Sequence, residues 1–204
     1  MGLLSSSVSL TRYRVEGQFA DPVMDTVTGA LTKNMFTEIE DPAASKSMGW
    51  TSFTDPYRPD FSGSSYLIDT QFVFSLRIDK KAIPSKVFKK HYTMEVARRL
   101  AESGREFLSR EEKTAVREHV MTVLQSRMPA TPNLYDVVWN YERQQLWFFT
   151  NLKSANEDLE TLFVRSFRLS LIRLFPYTAA FYNPDLPDTG RDVLAKLTPT
   201  RFVE

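Results

Sequence analysis

An α+β fold, an antiparallel sheet with helices packed on it, is predicted for this chain from three observations. Residues 8–15 and 72–78 alternate in side-chain type and are rich in strand formers, the mark of half-buried strands. Segments following Pro84 and Ser109 instead repeat their apolar residues at helical spacing. Two aromatic and β-branched runs, 134–141 and 145–150, are split by Glu142-Arg143-Gln144 and read as a hairpin set between helices. Strands and helices are mixed rather than alternating one for one, which points away from a parallel α/β sheet.

In chain order, VSLTRYRV at 8–15 forms the first strand. Asp21-Pro22 supplies an N-cap and a first-turn proline for a helix that carries Val23, Val27, Ala30 and Leu31 on one face and ends near Lys33. Residues 35–39 are a candidate second strand. From 40 to 70 the pattern is broken by Pro42, Gly49, Pro56, Pro59 and Gly63, so this stretch is expected to be mostly loop, with Trp50 of Met48-Gly49-Trp50 as an aromatic anchor. Pro84 opens a helix with Val87, Met94, Ala97, Leu100 and Ala101 on its apolar stripe, and Gly104 ends it. Ser109-Arg110-Glu111-Glu112 is a capping box that starts a second helix bearing Val116, Val120, Val123 and Leu124. Ser154-Ala155-Asn156-Glu157 reads as another, ahead of Leu159, Leu162 and Phe163. Phe167, Leu169 and Leu171 alternate in a last strand stopped by Pro176. The expected organisation is an α+β region over 1–182, with a two-helix basic arm at 84–127, and an irregular tail at 183–204.

Composition excludes several classes. The 204 residues hold no cysteine, which removes disulfides and thiolate metal sites. No apolar run is long enough to span a bilayer, and no basic region followed by an apolar core opens the chain, so no membrane association is expected. The two histidines, His91 and His119, fall on separate helices. No serine sits in a G-x-S-x-G elbow, and no glycine-rich phosphate loop is present. Pro59-Asp60 followed by Asp79-Lys80-Lys81 loosely resembles the carboxylate-and-lysine arrangement of metal-dependent nucleases, in which two carboxylates hold Mg²⁺ and a lysine orients water. A solvated Asp79 at a strand end is the simpler account, and neither an enzyme activity nor a cofactor is expected.

Charge is distributed unevenly. Residues 77–127 hold 13 of the 26 Lys and Arg but 7 of the 25 Asp and Glu, so this segment carries +6 and the rest of the chain −5. A contiguous cationic surface of this kind suits a polyanion, and solvated surface helices are the plainer alternative. Lys86 with Lys90, and Lys113 with Arg117, repeat like charges one helical turn apart, an arrangement that slightly weakens an isolated helix. Lys89, Arg98, Arg99 and Arg127 add to the set. No zinc finger, zipper or RNP motif accompanies them, so contact with backbone phosphates rather than bases is the expectation.

Several of these segments together resemble the bacterial recombination-associated RdgC family. Met48-Gly49-Trp50 before a strand, Ile83-Pro84-x-x-Val87 opening a helix, and Glu112-Lys113-x-x-Val116-Arg117-Glu118-x-Val120 with Arg127 closing that helix carry the resemblance. The Trp139 hairpin, the Ser154-Ala155 helix and Phe167-x-Leu169-x-Leu171 before Pro176 follow in the same order, covering roughly 8–180. The resemblance implies an RdgC-like fold, non-specific double-stranded DNA binding, a ring-shaped homodimer around the duplex, antagonism of RecA-driven recombination, and a cytoplasmic, nucleoid-associated location. It places Lys113, Arg117 and Arg127, and with them Lys90 and Arg98, at the family's basic positions. The chain resembles a short form that lacks the family's C-terminal portion, which contributes to ring closure. Gln125-Ser126-Arg127-Met128-Pro129 keeps the arginine of the family's Leu-Pro-Arg-aromatic run and lacks the aromatic. A protein-interaction module that keeps the fold, with an apolar patch around Tyr177, Phe181 and Tyr182, is the alternative; a metal-dependent nuclease is a further one.

Overall fold

The longest run of alternating residues, QFVFSLRIDK, becomes the middle of the sheet. It forms strand β4 (Gln71–Lys80), which pairs antiparallel along its whole length with β5 (Thr131–Asn140) and on its other edge with β2 (Lys46–Ser52). The computed structural model describes residues 2–18, 22–41, 44–63 and 65–198. Among these, β1 (Thr11–Glu16), β3 (Leu67–Ile68), β6 (Gln145–Phe148) and β7 (Ser170–Arg173) complete one antiparallel sheet in the order β2-β4-β5-β6-β1-β7, with β3 beside β4. Helices α1 (Val23–Lys33) and α4 (Lys153–Phe167) pack on one sheet face, and α5 (Pro176–Phe181) and α6 (Asp188–Ala195) follow β7. This is the predicted α+β architecture.

The period of two decides which side chains meet the helices. Phe72, Phe74, Leu76 and Ile78 of β4, Val137 and Trp139 of β5, Leu146 and Phe148 of β6 and Tyr13 and Val15 of β1 join Val27 and Leu31 of α1 and Leu159, Leu162 and Phe163 of α4 in one core. Aromatic contacts dominate it: Trp50 meets Phe74 edge-on at 5.1 Å, and Trp139 lies 5.1 Å from both Phe163 and Phe167. The Trp50 Nε1–H donates to Ser166 Oγ at 2.8 Å, so this fully buried indole carries no unmet donor.

Trp50 is thus the anchor foreseen, but it sits in a strand, not a loop. Pairing with β4 makes 46–52 extended despite its Ser, Gly and Thr content. Residues 35–39 are not a strand: their one ladder pairing is an isolated bridge, Met35 to Trp50. Gly49 explains the close approach, because a Cβ there would overlap the Phe36 backbone. Gly49→Ala is therefore expected to cost about 3 kcal/mol, the upper range for overpacking. A shifted denaturation midpoint would show this, and an unchanged one would mean that the 34–36 turn moves aside freely.

Other boundaries differ for identifiable reasons. Pro22 occupies the N-cap of α1, and the Asp21 cap lies outside the described residues. The Ser154 capping box does not form. Helix α4 starts at Lys153 after Leu152, whose N–H donates to Thr150 Oγ1 at 3.2 Å, while buried Asn156 donates to the Leu152 carbonyl at 2.7 Å. Phe167 belongs to the last turn of α4, its ring tilted against that of Phe163 one turn earlier at 4.7 Å, and Arg168 at φ 59° ends the helix before β7 begins. The tail after Tyr182, expected to be irregular with room for one turn of helix, carries the two-turn helix α6.

Candidate nucleic-acid interface

Helices α2 (Ser85–Ser103) and α3 (Arg110–Arg127) form an arm whose apolar side chains make a cluster of their own. Val116, Val120 and Leu124, spaced by four, are the buried ridge of α3, and Leu108 closes its end. Against them lie Val87, Phe88, Tyr92, Val96 and Leu100 of α2. Val87 and Leu100 of the expected stripe are among them, but Met94, Ala97 and Ala101 face solvent, and Phe88, Tyr92 and Val96 pack in their place. No α2 residue is fully buried, so the second helix is held chiefly by one side of α3. The turn between them is firmly specified. Gly104 adopts φ 62°, and the Ser109 capping box forms, with Ser109 Oγ accepting from the Glu112 N–H at 3.1 Å and Glu112 Oε2 from the Ser109 N–H at 2.8 Å.

The arm's cations fall into two groups. Arg98 donates to Glu95 and Glu102, both at 2.6 Å, Arg99 donates to Glu95 at 3.1 Å, and Arg105 pairs with Glu112. Lys86, Lys89, Lys90, Arg110, Lys113, Arg117 and Arg127 are exposed and stand in no ion pair among the described residues. Arg117 lies 5.6 Å from the centre of the Phe88 ring on α2, which fixes its guanidinium beside the neighbouring helix without neutralising it. Glu106, Glu111 and Glu118 are exposed as well, so the free charge of the arm stays strongly positive. Of the residues picked from sequence, Lys86, Lys89, Lys90, Lys113, Arg117 and Arg127 are thus available, while Arg98 and Arg99 are occupied by carboxylates. His91 is half-buried and His119 exposed, and both border an open hollow between the helices.

The Glu95 cluster has a pH signature. Hydrogen bonds from Arg98, supported by Arg99, hold the Glu95 carboxyl at about 2, below its ordinary 4.5. Because the folded value is depressed, the stabilisation is complete above about 4.5 and is lost as pH falls toward 2. An NMR titration of Glu95 should give a midpoint near 2, and Glu95→Gln should remove the matching step in arm helicity; a midpoint near 4.5 would contradict the cluster.

The nuclease-like pattern meets a different fate. Asp79 is buried, not solvated: both its oxygens accept from Arg77, Oδ1 from Nε at 2.9 Å and Oδ2 from Nη2 at 2.7 Å. Arg77 also reaches Glu38 at 2.8 Å and lies 4.0 Å over the Phe36 ring. The hydrogen bonds that Arg77 donates to Asp79 raise the arginine's pKa further above its ordinary value. Asp60 is exposed and engaged by its own loop, its two oxygens accepting from the Ser62 N–H and hydroxyl at 2.8 and 2.9 Å. Among the described residues, no three His, Asp or Glu stand together as a metal cluster. Nor is any helix among them long and apolar enough to cross a membrane.

One surface has no signal in the sequence. The sheet face opposite the helices exposes Arg12 and Trp147, which alternation alone assigns merely to strands.

A protein-family model described as "Putative exonuclease, RdgC" matches residues 9–179, which spans both the sheet and the arm. No curated protein matches the chain. With that match running over most of its length, through every strand and the two arm helices, the chain belongs to the RdgC family.

Proposed function

We propose that this protein binds double-stranded DNA without sequence preference, without cutting it, and as a homodimer. Its place is on the cytoplasmic nucleoid, where it restrains RecA-dependent recombination. Membership of the RdgC family supports a recombination-associated DNA-binding role at the level of the family. The observation that carries the finer reading is the set of exposed, unpaired cations on α2 and α3, led by Lys113, Arg117 and Arg127. Long flexible cations without bidentate partners suit phosphates, and each phosphate neutralised releases counterions. The non-catalytic part of the reading is supported by Asp79, whose carboxylate is committed to Arg77.

Two unrelated duplexes of equal length should bind with the same affinity at low salt, and supercoiled plasmid incubated with Mg²⁺ or Mn²⁺ should stay intact. Absent binding removes the duplex reading. Metal-dependent cutting removes the non-catalytic one.

A second reading has an observation of its own. Phe175, Tyr177 and Phe181 are all at least 40 % exposed around α5, an apolar patch of the kind that a protein partner covers. A stable protein complex lost on Phe181→Ser, in a chain that fails to bind duplex, would favour it.

A further inference from the structure

Strand register places two rows of side chains on the sheet face turned away from α1 and α4. One row runs Val73, Val138, Trp147, Arg12 across β4, β5, β6 and β1. The next runs Gln71, Asn140, Gln145, Arg14. Leu3 and Phe53 cover the β4–β5 end at Val73 and Val138, while Trp147 remains 39 % exposed. Hollows open on both sides of its indole. One, of about 300 Å³, is bounded by Leu10, Arg12 and Leu174, and a smaller one by Gln71, Asn140 and Arg143. An indole left 39 % exposed with space on either flank has ring surface still to cover, so it invites a planar occupant.

The charge around it selects that occupant. Arg12 and Arg143 are exposed and carry no carboxylate partner among the described residues. Arg14 is shared between Glu16 at 3.6 Å and the Tyr182 ring at 5.0 Å. Glu142 in the hairpin turn and Asp69 in the turn before Gln71 are exposed acids beside the face, and Asp136 on the face itself is engaged, accepting from the Ser75 hydroxyl at 2.9 Å and the Leu3 N–H at 2.8 Å. An aromatic platform flanked by arginines and by amide side chains (Gln71, Asn140, Gln145) is the combination that stacks unpaired bases, hydrogen-bonds their edges and holds the phosphates between them. A duplex keeps its base faces stacked internally and cannot offer them to Trp147.

We propose that this face binds single-stranded nucleic acid, with a base stacked on Trp147 and flanking phosphates on Arg12 and Arg143. The site shares no residue with the α2–α3 arm, and the inference does not rest on the duplex-binding reading.

Fluorescence tests it directly, because Trp50 and Trp139 are buried and Trp147 is the exposed one of the three tryptophans. Titration of the whole chain with a twelve-nucleotide oligo-dT, and separately oligo-U, should quench its emission; equal quenching marks base and phosphate as the ligand, and a difference reports a sugar preference within the same site. Trp147→Ala should weaken oligo-dT binding roughly 5- to 150-fold, and Trp147→Phe, which keeps a ring, far less. Arg12→Glu with Arg143→Glu should lower the salt slope by about 0.7 for each phosphate lost. Lys113→Glu with Arg117→Glu should leave oligo-dT affinity at this site within a few-fold. The proposal is overturned if oligo-dT binding survives Trp147→Ala unchanged in a folded protein. It is likewise overturned if only the arm variant abolishes that binding, or if Trp147→Ala converts a dimer to a monomer, which would make this face a contact between copies.

Discussion

Reversing two charges, Lys113→Glu with Arg117→Glu, should lower affinity for a random duplex by roughly 10²- to 10³-fold at low salt, since phosphate contacts are lost and opposed. Both residues are exposed and neither is in an ion pair, so the fold should be kept, with a stability loss of about 1 kcal/mol at most from the contact of Arg117 with the Phe88 ring. Arg98→Gln supplies the contrast. Its guanidinium is engaged by Glu95 and Glu102 on its own helix, and a loss of about threefold at most is expected, because the charge is already neutralised. Anisotropy with a labelled duplex measures both. If Arg98→Gln proves as damaging as the double reversal, the sorting of cations by their ion pairs is wrong.

Breaking the Arg77–Asp79 pair should destabilise the fold more than Gly49→Ala or any change to the arm's surface charges. The two side chains are 6 % and 3 % exposed and are joined by two hydrogen bonds. Arg77→Met leaves Asp79 buried and uncompensated, which costs about 3–5 kcal/mol. The double change Arg77→Met with Asp79→Leu should recover most of that, because an apolar pair of similar volume replaces the ion pair without stranding a charge. Urea denaturation of the three proteins decides it. A loss below about 1 kcal/mol for Arg77→Met would mean the pair is hydrated, and would restore Asp79 as a group free for other chemistry.

The sequence made much of this fold legible where local signals agreed with tertiary context. Alternation through Phe72, Phe74, Leu76 and Ile78 located β4, and the Ser109 box located α3 to the residue. It failed where context overrode local signals. Residues 46–52 have a weak strand composition, and only hydrogen bonding to β4 makes them β2. Phe167, Leu169 and Leu171 look like a strand, but packing against Phe163 keeps Phe167 helical. Ser154 has the spacing of a capping box, yet Thr150 and Asn156 already serve the carbonyl and amide groups at that helix start. On α2 the apolar period is weak enough that spacing finds Val87 and Leu100 but joins them to Met94, Ala97 and Ala101, which face water, in place of Phe88, Tyr92 and Val96.

The candidate site was legible as a charge block and only partly as a set of residues. The spacing of Glu95, Arg98, Arg99 and Glu102 at i,i+3 and i,i+4 already contained the information that two of the arginines are paired. Arg77 and Asp79, two apart on one strand, had to share a sheet face, but their burial depended on Phe36 and the 36–40 segment, far away in sequence. The Trp147 face needed the register of β6 with β1 before Arg12 could be placed beside it.

Phosphate contact by the arm is the central claim, and a salt titration of duplex affinity tests it most directly. The logarithm of the association constant should fall linearly with the logarithm of salt concentration, and Lys113→Glu with Arg117→Glu should reduce the slope by about 0.9 for each contact removed. A wild-type affinity indifferent to salt, or a slope that the double reversal leaves unchanged, would contradict it.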